Sequence, residues 1–384
     1  MARLTHRERV MRALNHQEPD RVPVDIGGTY ASSIASGAYA RLMEHLKLSG
    51  ESAIMRKWAS VVRPDESLLC RLDIDTRMVV PRYGNDWNEY WKLTPMPDGA
   101  TYQDEWGIPW TKPEKGPAFI SKHPLAGEEI TLADIEEYPW PVPDEAGRYA
   151  GLKEQAEQLK TNTDFAVIAM FPRPIVSLSQ FLRGYDDWFV DMGMNHELIE
   201  ALMDKILEVD LAIGIRLVEL IGKYVDAWFV HDDLATQTEL MCSPQAYRTL
   251  IKPRHRRIFE FLKTHSDAKI IYHCDGAILP IINDFIEIGV DALNPVQISA
   301  EGMDTKSLKA QFGDRLAFWG AIDTHTVLPK GTTDDVRQEV KMQVESLGKN
   351  GGYILAAVHN IQDDIPPQNI VAMVEAAHEF GKYR

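Results

Sequence analysis

Six short runs rich in apolar and β-branched residues, at 165–170, 225–231, 269–274, 290–293, 316–320 and 353–358, recur along the second half of the chain with amphipathic stretches between them. Strands joined by helical crossovers pair in parallel, because each helix carries the chain back to the starting edge of the sheet. Two earlier runs, 22–26 and 76–80, raise the count to eight. Eight parallel strands in this alternation close a ring, so the expected fold class is α/β, a (β/α)8 TIM barrel, with residues 1–384 forming a single domain. No Gly-x-Gly-x-x-Gly or Walker A loop supports a nucleotide fold instead.

The segment ahead of that alternation is less regular. Thr5 and Glu8 have the spacing of a capping box and open a first helix. Helical spacing also runs through residues 37–48 and 51–72. Residues 81–147 then change character, with Trp87, Trp91, Trp106, Trp110 and Trp140 set among many Pro and Gly residues. Proline fixes φ and interrupts regular elements, so this stretch reads as a hairpin-rich insertion within the barrel. It is placed as a lid over the carboxyl face, its aromatics serving mainly as cover.

Charge and cysteine usage limit the partners. A formal charge of −16 excludes a nonspecific nucleic-acid binder, which needs clustered cations to displace counterions. Three widely spaced cysteines, Cys70, Cys242 and Cys274, and no basic-then-apolar leader point to a cytoplasmic protein. No apolar run approaches the roughly 20 residues of a membrane span, so no membrane association is expected.

Seven of the eight runs end in polar groups, as expected where a barrel carries its chemistry at the carboxyl ends of its strands. The richest end is Lys269-Ile-Ile-Tyr-His-Cys-Asp-Gly276, and the run at 353–358 ends in His359 and Asn360. His273, Asp275 and His359 form a candidate metal site with three ordinary zinc donors and an open fourth position. Side chains alternate along a strand, so His273 and Asp275 share a side while Cys274 points away. The competing reading makes His273 a hydrogen-bonded pocket residue and Cys274 a small buried hydrophobe.

Other ends are Asp25 to Tyr30, Asn294 with Gln297, Asp323 with His325, and the triplet His231, Asp232 and Asp233. Three roles are open to the triplet: a second ligand set, an acid and base pair, or groups that fix a loop. Adjacent carboxylates in a pocket raise one pKa, which suits proton transfer. Arg173, between Pro172 and Pro174, is rigidly presented and suits either a substrate carboxylate or phosphate, or an internal ion pair.

Pro19-Asp-Arg-Val-Pro-Val24, Val230-His-Asp-Asp-Leu-Ala-Thr-Gln237, Ser243-Pro244 with Lys252-Pro253, Tyr272-His-Cys-Asp-Gly276 and Gly351-Gly-Tyr-Ile-Leu355 stand in an order that resembles the uroporphyrinogen decarboxylase superfamily. The resemblance covers almost the whole chain and implies the same barrel. Its decarboxylase branch is metal-free and carries an arginine-rich loop after the first strand for porphyrinogen carboxylates. Here residues 26–40 contain no arginine.

The other branch comprises cobamide-dependent methyltransferases, which hold zinc with His-x-Cys at one strand end and a further Cys after a Gly-Gly strand. At the matching positions this chain has His273, Asp275 and His359, so both thiolates are replaced. Nitrogen and oxygen donors leave more positive charge on zinc, which favours polarising an ether oxygen or amine over activating a thiol. The resemblance therefore implies a zinc-dependent methyltransferase exchanging a methyl group between a small methylated substrate and a corrinoid (cobalamin) protein. His231, Asp232, Asp233 and Arg173 are its candidate catalytic residues. The alternatives are a metal-free decarboxylase or lyase acting on a small carboxylated compound, with Asp233 or Asp25 moving protons, and a barrel that binds a ligand without catalysis.

Overall fold

The structure, a computed structural model, describes residues 3–50, 53–56, 60–80, 93–98, 101–113, 118–145, 147–172 and 174–383. Its centre is one parallel sheet of seven strands, β1 (Thr76–Val79), β2 (Ala166–Met170), β3 (Ala227–His231), β4 (Lys269–His273), β5 (Ala292–Val296), β6 (Ala317–Ile322) and β7 (Tyr353–Ala357), neighbouring in chain order. Nearly every position in them is buried. Burial on both faces explains why they read as continuous apolar runs. Met78, Ile168, Phe229, Ile271, Trp319 and Ile354 fill the interior. Their neighbours Val167, Trp228, Ile270, Phe318 and Leu355 face the helices instead, as a period of two requires.

The ring closes through the segment at 22–26, which is shorter than the strand expected there. Val24 makes one parallel bridge to Leu355. Leu355 N donates to Pro23 O and Asp25 N to Leu355 O, both at 2.9 Å, while on the opposite edge Asp75 N reaches Val24 O at 3.0 Å. A longer ladder cannot form, because Pro23 has no N–H and Val24 gives its own to the Asp75 carboxylate at 2.7 Å. Asp75 is wholly buried and also accepts from Arg9 at 2.6 Å, Arg21 at 2.7 Å and His6 at 2.8 Å. Burial pushes its carboxyl up, but the His6 bond and the two guanidinium groups outweigh that and hold it at about 2.

Residues 51–72 correct the helical reading. Ala53–Arg56 and Val61–Arg63 pair as an antiparallel hairpin extended by Ile34–Ala35, and helix occupies only Glu66–Arg71. Pro64 biases Arg63 toward extended backbone, and Asp65 then caps the short helix by accepting from Ser67 N at 2.9 Å.

Within 81–147, Leu93–Pro95, Thr101–Asp104, Pro109–Thr111 and Phe119–Ile120 form an antiparallel four-stranded sheet in chain order. Asp104 fixes its tightest turn, accepting from Trp106 N, Ile108 N and Trp110 Nε1 at 2.9 to 3.1 Å. Trp106 is buried, whereas Trp87 and Trp91 lie outside the described residues. The insertion docks on the helices Ile175–Arg183 and Tyr185–Met194. Arg183 donates to Leu125 O and Gly127 O at 2.8 and 2.7 Å, and Gly127 N donates to Asp187 at 2.7 Å. Among the described residues no helix is long and apolar enough to cross a membrane.

Candidate metal and substrate site

His273 ends β4 in register with His231 of β3 and Asn294 of β5. It continues the inward series begun by Ile271, so its ring stands one step beyond the packed interior. Asn294 Oδ1 accepts from its Nδ1 at 2.7 Å, which leaves Nε2 as the lone-pair nitrogen, 3.4 Å from Asp275 Oδ2. Cys274 faces the helices: it is 1% exposed, within the outer apolar layer, and burial pushes its thiol well above the usual value.

The turn that presents Asp275 is pinned from both sides. Asp275 N donates to Asp233 Oδ1 at 3.1 Å, and Gly276 N to Gln297 Oε1 at 2.7 Å. Gly276 has φ +95°, and a Cβ there would stand 2.5 Å from Thr236 O, so no larger residue fits.

His359 follows β7, with Nε2 at 4.0 Å from the same Asp275 oxygen and its ring 5.8 Å from that of His273. One donor atom from each of His273, Asp275 and His359 lies within 4.8 Å of the others. Bonds of about 2.0–2.1 Å in a tetrahedron separate donors by about 3.3 Å. The His273–Asp275 spacing already suits one ion, and the half-exposed His359, 4.0 Å from Asp275, has to move inward to complete the set. The donor set therefore fits zinc.

The two carboxylates here are driven apart. Burial raises Asp233, and the negative charge of Asp275 adds to that, against the pull of His273. Asp275 is lowered: burial opposes ionisation, but the charges of His273, His359 and His325 prevail. His273 is raised to about 8, since the two carboxylates outweigh its burial. Neighbouring carboxyls whose surroundings push their pKa values in opposite directions are the usual arrangement of a proton donor and a ligand or base.

Other sequence candidates fall elsewhere. Asp232 turns outward, away from His273. Its carboxylate accepts from Val176 N at 2.7 Å, Ser177 N at 2.9 Å and the buried His255 at 3.1 Å. It caps the helix Ile175–Arg183 and holds the barrel wall. Asp323 is likewise spent on the backbone N–H groups of His325, Thr326 and Val327. Asp25 is buried inside the ring between Thr76 Oγ1 at 2.5 Å and Trp319 Nε1 at 2.9 Å. Arg173 lies outside the described residues. His231 does sit at the mouth, under the edge of Tyr30 at 5.2 Å.

Tyr30 was readable only as part of a polar strand end, because its placement depends on a loop fold with no sequence signature. Asn294 and Gln297 were visible as strand-end amides, yet the partners that give them work are more than 20 positions away.

A sequence profile described as Uroporphyrinogen decarboxylase (URO-D) matches residues 113–380. Three curated relatives bear the name uroporphyrinogen decarboxylase. That of Psychromonas ingrahamii is 36% identical over 79 residues, 21% of this chain and 22% of its own length. That of Methylococcus capsulatus is 32% identical over 195 residues, 50% and 51% of the two chains. That of Alkalilimnicola ehrlichii is 24% identical over 394 residues, 97% and 94%. The chain thus spans about a fifth of the first relative and about half of the second. Among solved structures, a methyltransferase from Methanosarcina mazei superposes with a TM-score of 0.65 at 19% identity, covering 98% of this chain and 99% of that one. A likeness at that identity shows the fold, and it agrees with the barrel.

Proposed function

Since the chain belongs to the uroporphyrinogen decarboxylase family, we propose that it works in that family's methyl-transferring manner: a zinc-dependent methyltransferase moving a methyl group between a small methylated substrate and a corrinoid protein. The observation that carries this reading is the convergence of His273, Asp275 and His359, from two strand ends, on a space that suits one ion. The methyltransferase fold neighbour supports it, as does the absence of arginine from residues 26–40.

Zinc, when bound, would supply a Lewis acid for the heteroatom that carries the methyl group. The protein's own groups divide the remaining work. Asn294 fixes the His273 tautomer and ring, and Gln297 and Asp233 hold the turn that aims Asp275. Asp233, whose carboxyl is raised by burial and by the charge of Asp275, is the group suited to deliver a proton to the heteroatom when the methyl leaves. The inner rings of Phe229, His231 and Tyr30 keep water from the floor of the mouth.

A metal-free decarboxylase of a small carboxylated compound is the second reading. It is favoured by the name on the relative aligned along 97% of this chain, and Asp233 would again be the proton carrier. Zinc per chain, measured on the purified protein and on His273→Ala, Asp275→Ala, His359→Ala and Cys274→Ala, separates the two. The methyltransferase reading expects about one zinc in the parent and in Cys274→Ala, and a loss of most zinc in the other three. A parent that holds no metal under any condition moves the decarboxylase reading ahead, and full zinc in His359→Ala with loss in Cys274→Ala overturns the ligand assignment.

A further inference from the structure

Tyr30 occupies a position that neither the metal site nor the acid pair explains. It lies in the loop after the bridging segment, 7% exposed. Its ring meets His231 edge-on at 5.2 Å and Phe229 at 5.5 Å, and stands 6.3 Å from the ring of His273. It is the uppermost ring of the stack that fills the barrel interior, on the side where the metal candidates sit.

The loop that carries it is built to hold it still. Gly27 N donates to Ser32 O at 3.0 Å, Gly28 N to Asp25 Oδ1 at 2.8 Å, and Thr29 N to Ser32 Oγ at 3.0 Å. Every residue from Arg21 to Ala35 is buried. The loop is also fastened to the turn bearing His359. Asn360 Nδ2 donates to Tyr30 O, Ile361 N to Ser33 O at 2.9 Å, and Ala35 N to Ile361 O at 2.8 Å. Tyr30 and His359 therefore share one hydrogen-bonded platform, although they lie near opposite ends of the sequence.

We propose that Tyr30 is a specificity-determining residue of this site. Its ring limits the size of the group that reaches the open metal position. The inference rests on the zinc reading above and extends it: the substrate is compact enough for its methyl-bearing end to reach the metal beside the Tyr30 ring, which packs against that of His273. A rigid wall discriminates because its loop has no slack to yield, and a tight apolar pocket separates ligands differing by one group by about tenfold to a few hundredfold.

The test uses the protein loaded with cobalt(II), whose visible absorbance reports an added ligand directly, titrated with imidazole and with 4-phenylimidazole. The parent is expected to bind imidazole and to discriminate against 4-phenylimidazole by about tenfold or more. Tyr30→Ala should lose most of that discrimination, while Tyr30→Phe, which keeps the ring, should retain it, both variants holding parental metal. Equal discrimination in the parent and Tyr30→Ala overturns the assignment and leaves the metal site intact. A parent that takes up no cobalt or zinc overturns the metal reading and this proposal together.

Discussion

Replacing Asn294 with alanine removes the group that orients His273, and its effect on metal affinity follows from two features of the structure. The bond from His273 Nδ1 to Asn294 Oδ1 is 2.7 Å long, and both residues are 2% exposed. Water therefore has little access to replace the lost acceptor. A buried N–H left without a partner costs about 1–3 kcal/mol, and each 1.4 kcal/mol is tenfold in affinity. Zinc binding in Asn294→Ala should therefore weaken by about 5- to 150-fold, in line with the 10- to 100-fold typical of groups that orient metal-bound histidines.

The assay is competition for zinc against a chromophoric chelator at one fixed pH, since the ligands bind metal only when deprotonated. Asn294→Asp, which keeps an acceptor and adds charge, should retain parental affinity or exceed it. Asn294→Ala with unchanged zinc affinity and an unchanged thermal midpoint would refute the orienting role.

Asp75→Asn takes one carboxylate partner from each of two guanidinium groups, Arg9 keeping Asp20 and Arg21 keeping Asp73, so the cost stays below the about 3–5 kcal/mol of a buried charge left alone. With an unfolding entropy of about 2.1 cal/mol/K per residue, the thermal midpoint should fall by less than about 4–6 °C. Because the folded-state carboxyl sits at about 2, below its unfolded value, its stabilisation is complete above roughly pH 4 and is lost as pH falls toward 2. Calorimetry between pH 2 and 5 should show that slope in the parent and a shallower one in the variant, and matching slopes would count against it. Uroporphyrinogen incubated with the protein should give no coproporphyrinogen, since residues 26–40 offer no arginine for its carboxylates; clear turnover would return the chain to the decarboxylase reading. Limited proteolysis should cut within residues 81–147 before the barrel, and two separately folding halves would contradict the single-domain assignment.

The barrel was legible because its strands are buried on both faces, which leaves unbroken apolar runs, and because all but one of the runs end in polar groups. The sharing of one side by His273 and Asp275 was legible from alternation alone. Asp232 was not: it is the next residue after His231, so the same alternation that turns His231 inward sends its carboxylate to the N–H groups of Val176 and Ser177. Adjacency to site residues masked that structural duty. Residues 51–63 read as helical because their apolar spacing suits either element, and the hairpin is decided by pairing with Ile34–Ala35, a contact that local pattern does not contain.

The bridge between Val24 and Leu355 also sets a schedule for synthesis. Ribosomes add about 5–20 residues per second, so the early segment waits roughly a quarter to a full minute for the strand that completes its pairing. During that interval the edge of the bridging segment that will meet Leu355 stays unpaired, a template for any other extended chain. The nascent protein is thus most exposed to misassociation until β7 has been made. Its dependence on chaperones should concentrate in that stage of elongation.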